Sequence, residues 1–205
     1  MKTQRVPRSS QCLIALLAAA ALPLSVLAAT NQFTTQPDKS MVAAHNSFMK
    51  GDMKKASAEI HKAATYVKNQ SDKVAAGSKE GVKKAGEDLN KLADDVKAGT
   101  VKSGDELNKA FAKTDHALAD AWHQMAVAAK NSGKATTRLL KQTGSALSGA
   151  AHWSGHQLSA GTQKSVEAVK SATAASIKAS KDSAKDVDGW FKDLGEGIKE
   201  VGQKL

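Results

Sequence analysis

An all-α fold is what this sequence predicts: an elongated antiparallel helical bundle of about three long, coiled-coil-like helices with a short N-terminal helical arm. Three observations predict it. No proline follows Pro37 in the 205-residue chain, so nothing beyond that point forbids a helix. β-Branched and aromatic residues never alternate with polar ones in the manner of a strand. Within 103–147, apolar or small residues recur at Leu107, Phe111, Thr114, Leu118, Ala121, Met125, Ala128, Ser132, Ala135 and Leu139, in steps of four and three. That spacing is the seam of a helix packed along its whole length on other helices.

The N-terminus reads as an export signal over 1–29. Lys2, Arg5 and Arg8 form a positive leader, 13–27 is a mostly apolar run broken by Pro23, and Val26-Leu27-Ala28 offers compact residues for cleavage. The run is too short and wrongly flanked for a membrane span. Cys12 lies ahead of it, so a processed chain would carry no thiol although sent to an oxidising compartment. A bacterial periplasm is the expected location, with secretion as the other destination. Residues 30–37 are expected to be a flexible tail, and 38–205 a single all-α domain.

Within that domain the first helix is expected over 38–50, with Asp38 as its cap and Met41, Ala44 and Phe48 on one face. Gly51-Asp52 turns the chain into a second helix over 53–98. Its stripe begins Met53, Ala56, Ile60, Ala63, Val67 and continues through Ser71, Val74, Ser78, Val82, Ala85, Leu89, Leu92 and Val96. One step beside Gly77 and Gly81 is irregular, which a stutter or a break would produce. Gly99 is placed as the residue that stops the helix. Gly51-Asp52 with Ala56, Ile60 and Ala63 resembles the turn and second helix of a tetratricopeptide repeat, over residues 40–67. The opening pair is also loosely similar to that of YfdX-type exported bacterial proteins. The resemblance implies an antiparallel hairpin. Ser47 stands where such a repeat has an aromatic residue, and no second copy follows, so a peptide-binding groove is not carried over.

The third helix, 103–147, opens on Ser103-Gly104-Asp105-Glu106, a capping box in which Ser103 and Glu106 satisfy each other's amides. Gly144, Gly149, Gly155 and Gly161 make 144–161 the poorest helix former after the leader, and a joint is expected there. A single long hairpin with 145–161 helical is the alternative. Thr162 caps a last helix over 162–205, with its seam at Val166, Val169, Thr173, Ile177, Ser180, Ala184, Val187, Phe191, Leu194, Ile198, Val201 and Leu205. Three rods of about 45 residues follow, each near 65 Å at ~1.5 Å per residue.

Composition sets the character of the contacts. Leu, Ile, Val and Phe supply only 28 of the 176 residues after Ala29, and alanine, serine and lysine take their place. Helices that approach closely on small residues fit this, as does a chain partly disordered until it meets a partner. The chain carries a formal net charge of +10; setting aside the three basic residues of the leader leaves 27 basic against 20 acidic residues. Arg138 is the one arginine among those 27. Readers of nucleic-acid sequence favour the bidentate fork of arginine, so sequence-specific nucleic-acid binding is not expected. A lysine surface gives solubility, or a diffuse attraction for anionic polymers and headgroups.

Candidate sites follow from spacing. His116, Asp120 and His123 fall at i, i+4 and i+7, so a helix puts two imidazoles and a carboxylate on one face, a donor set for zinc, copper or nickel. They point away from the Leu118 seam, where a solvated polar face is the competing reading. His152 and His156 form a second i, i+4 pair around Trp153, and His45 lies between Met41 and Met49. Outside these metal candidates no cofactor is predicted. No acid stands between Asp120 and Glu167, while Lys130, Lys134, Arg138, Lys141 and Lys164 add five positive charges. That stretch suits an anionic surface, unless acids such as Asp94-Asp95 or those from Asp182 to Glu200 neutralise it from neighbouring helices. Trp122 and Trp153 would anchor at a membrane interface or flank the seam. Segment 187–205, with Trp190-Phe191, is amphipathic and near-neutral, which favours packing in the bundle or self-association over headgroup binding.

No nucleophile stands beside a base at catalytic spacing, and phosphate-binding glycine patterns are missing. The expected function is therefore that of an exported, non-enzymatic helical interaction or scaffold protein of the bacterial envelope, presenting a lysine-rich, small-residue surface to an anionic envelope component or protein partner. One alternative is a periplasmic divalent-metal-binding protein. Another is a stress-protective, partly disordered chain, since the Lys/Ala/Gly/Ser/Asp bias resembles late-embryogenesis proteins.

Overall fold

The computed structural model describes residues 36–172 and 184–205, which form seven helices and no strand. The expected leader, most of the expected tail and the middle of the expected last helix lie outside the described residues. Helix α1 spans Asp38–Met49, with Pro37 rather than Asp38 at the cap, so Asp38 becomes the first helical residue. Helix α2, Met53–Ser71, starts at Asp52, whose carboxylate accepts the Lys55 amide at 2.9 Å. Helix α3 spans Ala76–Lys97 and ends as expected at Gly99, in the left-handed region at φ 70°. Helix α4, Gly104–Ala128, opens on the capping-box serine: the Glu106 carboxylate accepts the amides of Ser103 at 3.3 Å and Lys102 at 3.0 Å. Helix α5 spans Gly133–Ser154 and α6 spans Ala160–Ser171, the latter capped by Ser159. Helix α7 spans Ala184–Gly202.

The expected rods are therefore corrected: each is folded back on itself. The 53–98 rod is the α2–α3 hairpin, turning at 72–75, and His61 Nδ1 meets Asn90 Oδ1 across it at 3.0 Å. The 103–147 rod is the α4–α5 hairpin, turning at 129–132. Its second arm runs on to Ser154, so most of the expected joint is helix and the turn is confined to 155–159. Across the 162–205 rod, α6 and α7 pack antiparallel, with Thr162 Oγ1 donating to the Asp193 carbonyl at 3.2 Å. The longest helix among the described residues has 25 residues, not about 45. A heptad seam reads straight through a tight turn because both arms of a hairpin face one core. Seam residues alone do not separate a rod from two half-rods.

The hairpins then stack. α3 lies against α4, with Ser78 Oγ donating to Gln124 Oε1 at 2.9 Å, and α5 lies against α6. α7 covers α4, α5 and α6, while α1 rests on α2 and α4. One continuous core results, built from Phe111, Met41, Ile60, Leu89, Leu107, Leu118, Leu140, Leu147 and Leu194 with many alanines between them. The apolar side of α7 (Phe191, Leu194, Ile198, Val201) is buried within this core. No described helix is long and apolar enough to cross a membrane.

Candidate functional site

Where α1 meets the α4–α5 hairpin, two carboxyls are buried together. Asp115 is 0% exposed and Asp38 2% exposed. Asp115 sits in mid-α4 between Phe111 and Leu118, and α5 makes room for it with Gly149. A Cβ there would collide with Asp115 Oδ2 and stand 3.2 Å from Asp38 Oδ1. Burial raises the Asp115 pKa well above the ordinary carboxylate range; the negative charge of Asp38 raises it further, as does the hydrogen bond between the two side chains. Two carboxyls this close oppose each other's ionisation. Tyr66 of α2 is raised as well, by burial and then by the charge of Asp38.

Two turns further along α1, His45 lies against Trp153 of α5 with ring centroids 5.7 Å apart, and Phe111 meets the same indole edge-on at 5.1 Å. Burial lowers the pKa of His45. His152 is lowered by burial and then by the proximity of His45. Met41 is fully buried and Met49 65% exposed, while Met49 Sδ and His45 Nε2 both border Gly104, at 3.3 Å and 3.4 Å from where its Cβ would stand.

His116, Asp120 and His123 do share one face of α4, and that face is half-buried rather than fully solvated. It lies under α7. The Nε2 of His116 bonds the Ile198 carbonyl at 2.9 Å and the Nε2 of His123 bonds the Phe191 carbonyl at 2.8 Å. A carbonyl only accepts, so Nε2 carries the proton in both rings and is committed to the helix contact. Glycines of α7 make the space: a Cβ at Gly202 would stand 2.7 Å from His116 Nε2, and one at Gly195 3.2 Å from His123 Cε1. Asp120 accepts from Gln124 at 2.8 Å. His152 and His156, on either side of the left-handed Gly155, line a cleft of about 500 Å³ between α5 and α6, together with Ser148, Gln163, Glu167 and Lys170. No three His, Cys, Asp or Glu side chains among the described residues are arranged to hold a metal ion.

The five cations are placed as a surface. Lys134, Arg138 and Lys141 stand at i, i+4 and i+7 on α5, the first two exposed and the third half-buried. Lys130 projects from the α4–α5 turn and Lys164 from α6, both exposed. Among the described residues none of the five makes an ion pair, and Asp94, an expected neutraliser, lies 3.4 Å from His61 instead. Trp122 and Trp153 are both buried and are core residues.

No protein-family model, no curated protein and no solved structure matches the chain. The carboxyl pair is the feature the sequence reading passed over. Its signal was an acid at Asp115, in step with Phe111, Leu118 and Trp122 on the apolar side of α4.

Proposed function

We propose that this chain is an exported, non-enzymatic helical scaffold of the bacterial envelope, acting in the periplasm, whose α5 face binds an anionic envelope surface. The observation that carries this reading is the row Lys134, Arg138, Lys141, flanked by Lys130 and Lys164, in a stretch without acids and with no ion pair among the described residues. Cations without an acid beside them keep their full attraction for phosphate groups, and each contributes about 1 kcal/mol near an anionic membrane surface. The rigid helical support fixes three of them in a line, so they meet a surface together.

Cosedimentation with vesicles containing anionic phospholipid, at low and at high salt, tests this. The protein is expected to bind at low salt and to be released as screening increases. Replacing Lys134, Arg138 and Lys141 together by Gln should weaken partitioning roughly a hundredfold, at about 1 kcal/mol per cation. Absence of binding at low salt, or unchanged binding by the triple variant, would refute the reading.

A further inference from the structure

We propose that the C-terminal end of α1 carries a site for a soft monovalent cation, Cu(I), held by Nε2 of His45 and Sδ of Met49. The two residues are i and i+4 on α1, so their side chains are neighbours on one face of the helix. Both donor atoms border a single point: a Cβ on Gly104 would stand 3.3 Å from Sδ and 3.4 Å from Nε2. Gly104 opens α4 without a left-handed φ, so its backbone does not require glycine. What any larger residue would do there is crowd the two donors. His61, His116 and His123 each commit a ring nitrogen to another residue, whereas the His45 ring makes no hydrogen bond among the described residues. Trp153 supports that ring from α5, with centroids 5.7 Å apart. Met49 is 65% exposed on a flexible side chain, so its sulfur can adjust to metal–donor bonds of about 2.0–2.3 Å.

The donor set chooses the ion. A thioether is a soft ligand that selects Cu(I), and imidazole suits copper as well. Zinc and the hard divalent cations need further nitrogen, thiolate or oxygen donors. No three His, Cys, Asp or Glu side chains among the described residues are arranged to supply them. The local charge tolerates a single positive ion. Helix α1 ends at Met49 with no basic residue in its last turn, so its carbonyl pole is open to a cation. Asp105 and Glu106, in the first turn of α4, offset the positive pole of that helix. Lys50, next along the chain, is exposed to solvent, where its charge is screened. This site uses none of the five cations assigned to the anionic surface, so the two readings stand or fall separately.

Titration of the full chain with Ag(I) tests the site, since that ion has the charge and softness of Cu(I) without its redox chemistry. Cys12, the one thiol of the chain, is replaced by Ser in every sample so that it does not compete. With isotope-labelled methionine methyl groups, the Met49 resonance should shift and saturate at one equivalent of Ag(I), while those of Met41 and Met125 stay in place. Zn(II) should leave Met49 unmoved. Loss of even an outer partner of a metal ligand costs about 10–100-fold in affinity, so His45→Gln and Met49→Leu should each weaken Ag(I) binding by at least about tenfold. Met49 is exposed, so its replacement leaves the fold intact. Gly104→Ala keeps both donors and should weaken binding by crowding them. An unmoved Met49 resonance, a shift of all methionines together without saturation, an equal shift with Zn(II), or an affinity unchanged by His45→Gln or Gly104→Ala would each overturn the proposal.

Discussion

At the scale of single residues, space rather than bonding decides what α5 can carry at position 149. Glycine in a helix interior costs about 1 kcal/mol against alanine. Gly149 nevertheless sits in mid-α5, because a methyl group there would run into the Asp115 carboxyl. Gly81 is the control: it lies exposed in α3 with nothing within 4 Å of an added Cβ. Gly81→Ala should therefore gain up to about 1 kcal/mol. Gly149→Ala should lose roughly 1–3 kcal/mol from overpacking less that same gain, and its thermal midpoint should fall by a few degrees. A stabilised Gly149→Ala would mean that the carboxyl pair is not packed as described. The two histidines of α4 use the same device, since His116 and His123 are seven apart and the glycines that admit them, Gly195 and Gly202, are also seven apart. That equal spacing is visible in the sequence. What is not visible is that α7 turns back over α4 to bring the two pairs into register.

At the scale of helices, most of the helix content and several ends were legible while the folding-back was not. The Ser103 capping box, the Gly51-Asp52 turn and the Gly99 stop all depend on local chemistry within a few residues, and all three are where the sequence puts them. Leu118, Leu194 and Ile198 are buried, as the seam requires. The turns at 72–75 and 129–132 contain no proline, and the heptad steps across them hide the reversal. Lys130-Asn131-Ser132-Gly133 does hold turn-forming residues. Ala128 and Ser132, assigned to the seam, are exposed there. Inserting two glycines between Asn131 and Ser132 distinguishes the two architectures. In a hairpin the ends are already close, and lengthening the loop costs under about 1 kcal/mol. In a continuous helix the insertion would turn the following seam about 200° away from the core, and folding would fail. A urea midpoint close to that of the parent chain is the expected result.

For the whole molecule, the buried titratable groups set opposing slopes of stability with pH. His45 and His152 are held below 6.5 in the folded protein, so the unfolded chain binds their protons first as pH falls. Their contribution is present above that value and is lost as pH drops through the lowered folded values. Asp115 is raised well above 3.8, so the folded protein keeps its proton after the unfolded chain has released it. Its contribution is complete below 3.8 and is lost as pH rises through the raised folded value. Between about pH 4 and about pH 6.5 the two slopes oppose each other, and the thermal midpoint should change little. Above about pH 6.5 the histidines' contribution is complete and constant, so whatever slope the midpoint keeps there is that of Asp115. Removing one side exposes the other. His45→Gln with His152→Gln should leave a midpoint that falls steadily as pH rises from the carboxylate range. Asp115→Asn should give one that climbs toward about pH 6.5 and then stays level. Melts in buffers of matched ionic strength read both profiles. An Asp115→Asn midpoint that declines above about pH 6.5 as steeply as the wild type's would assign the alkaline slope to groups other than this pair.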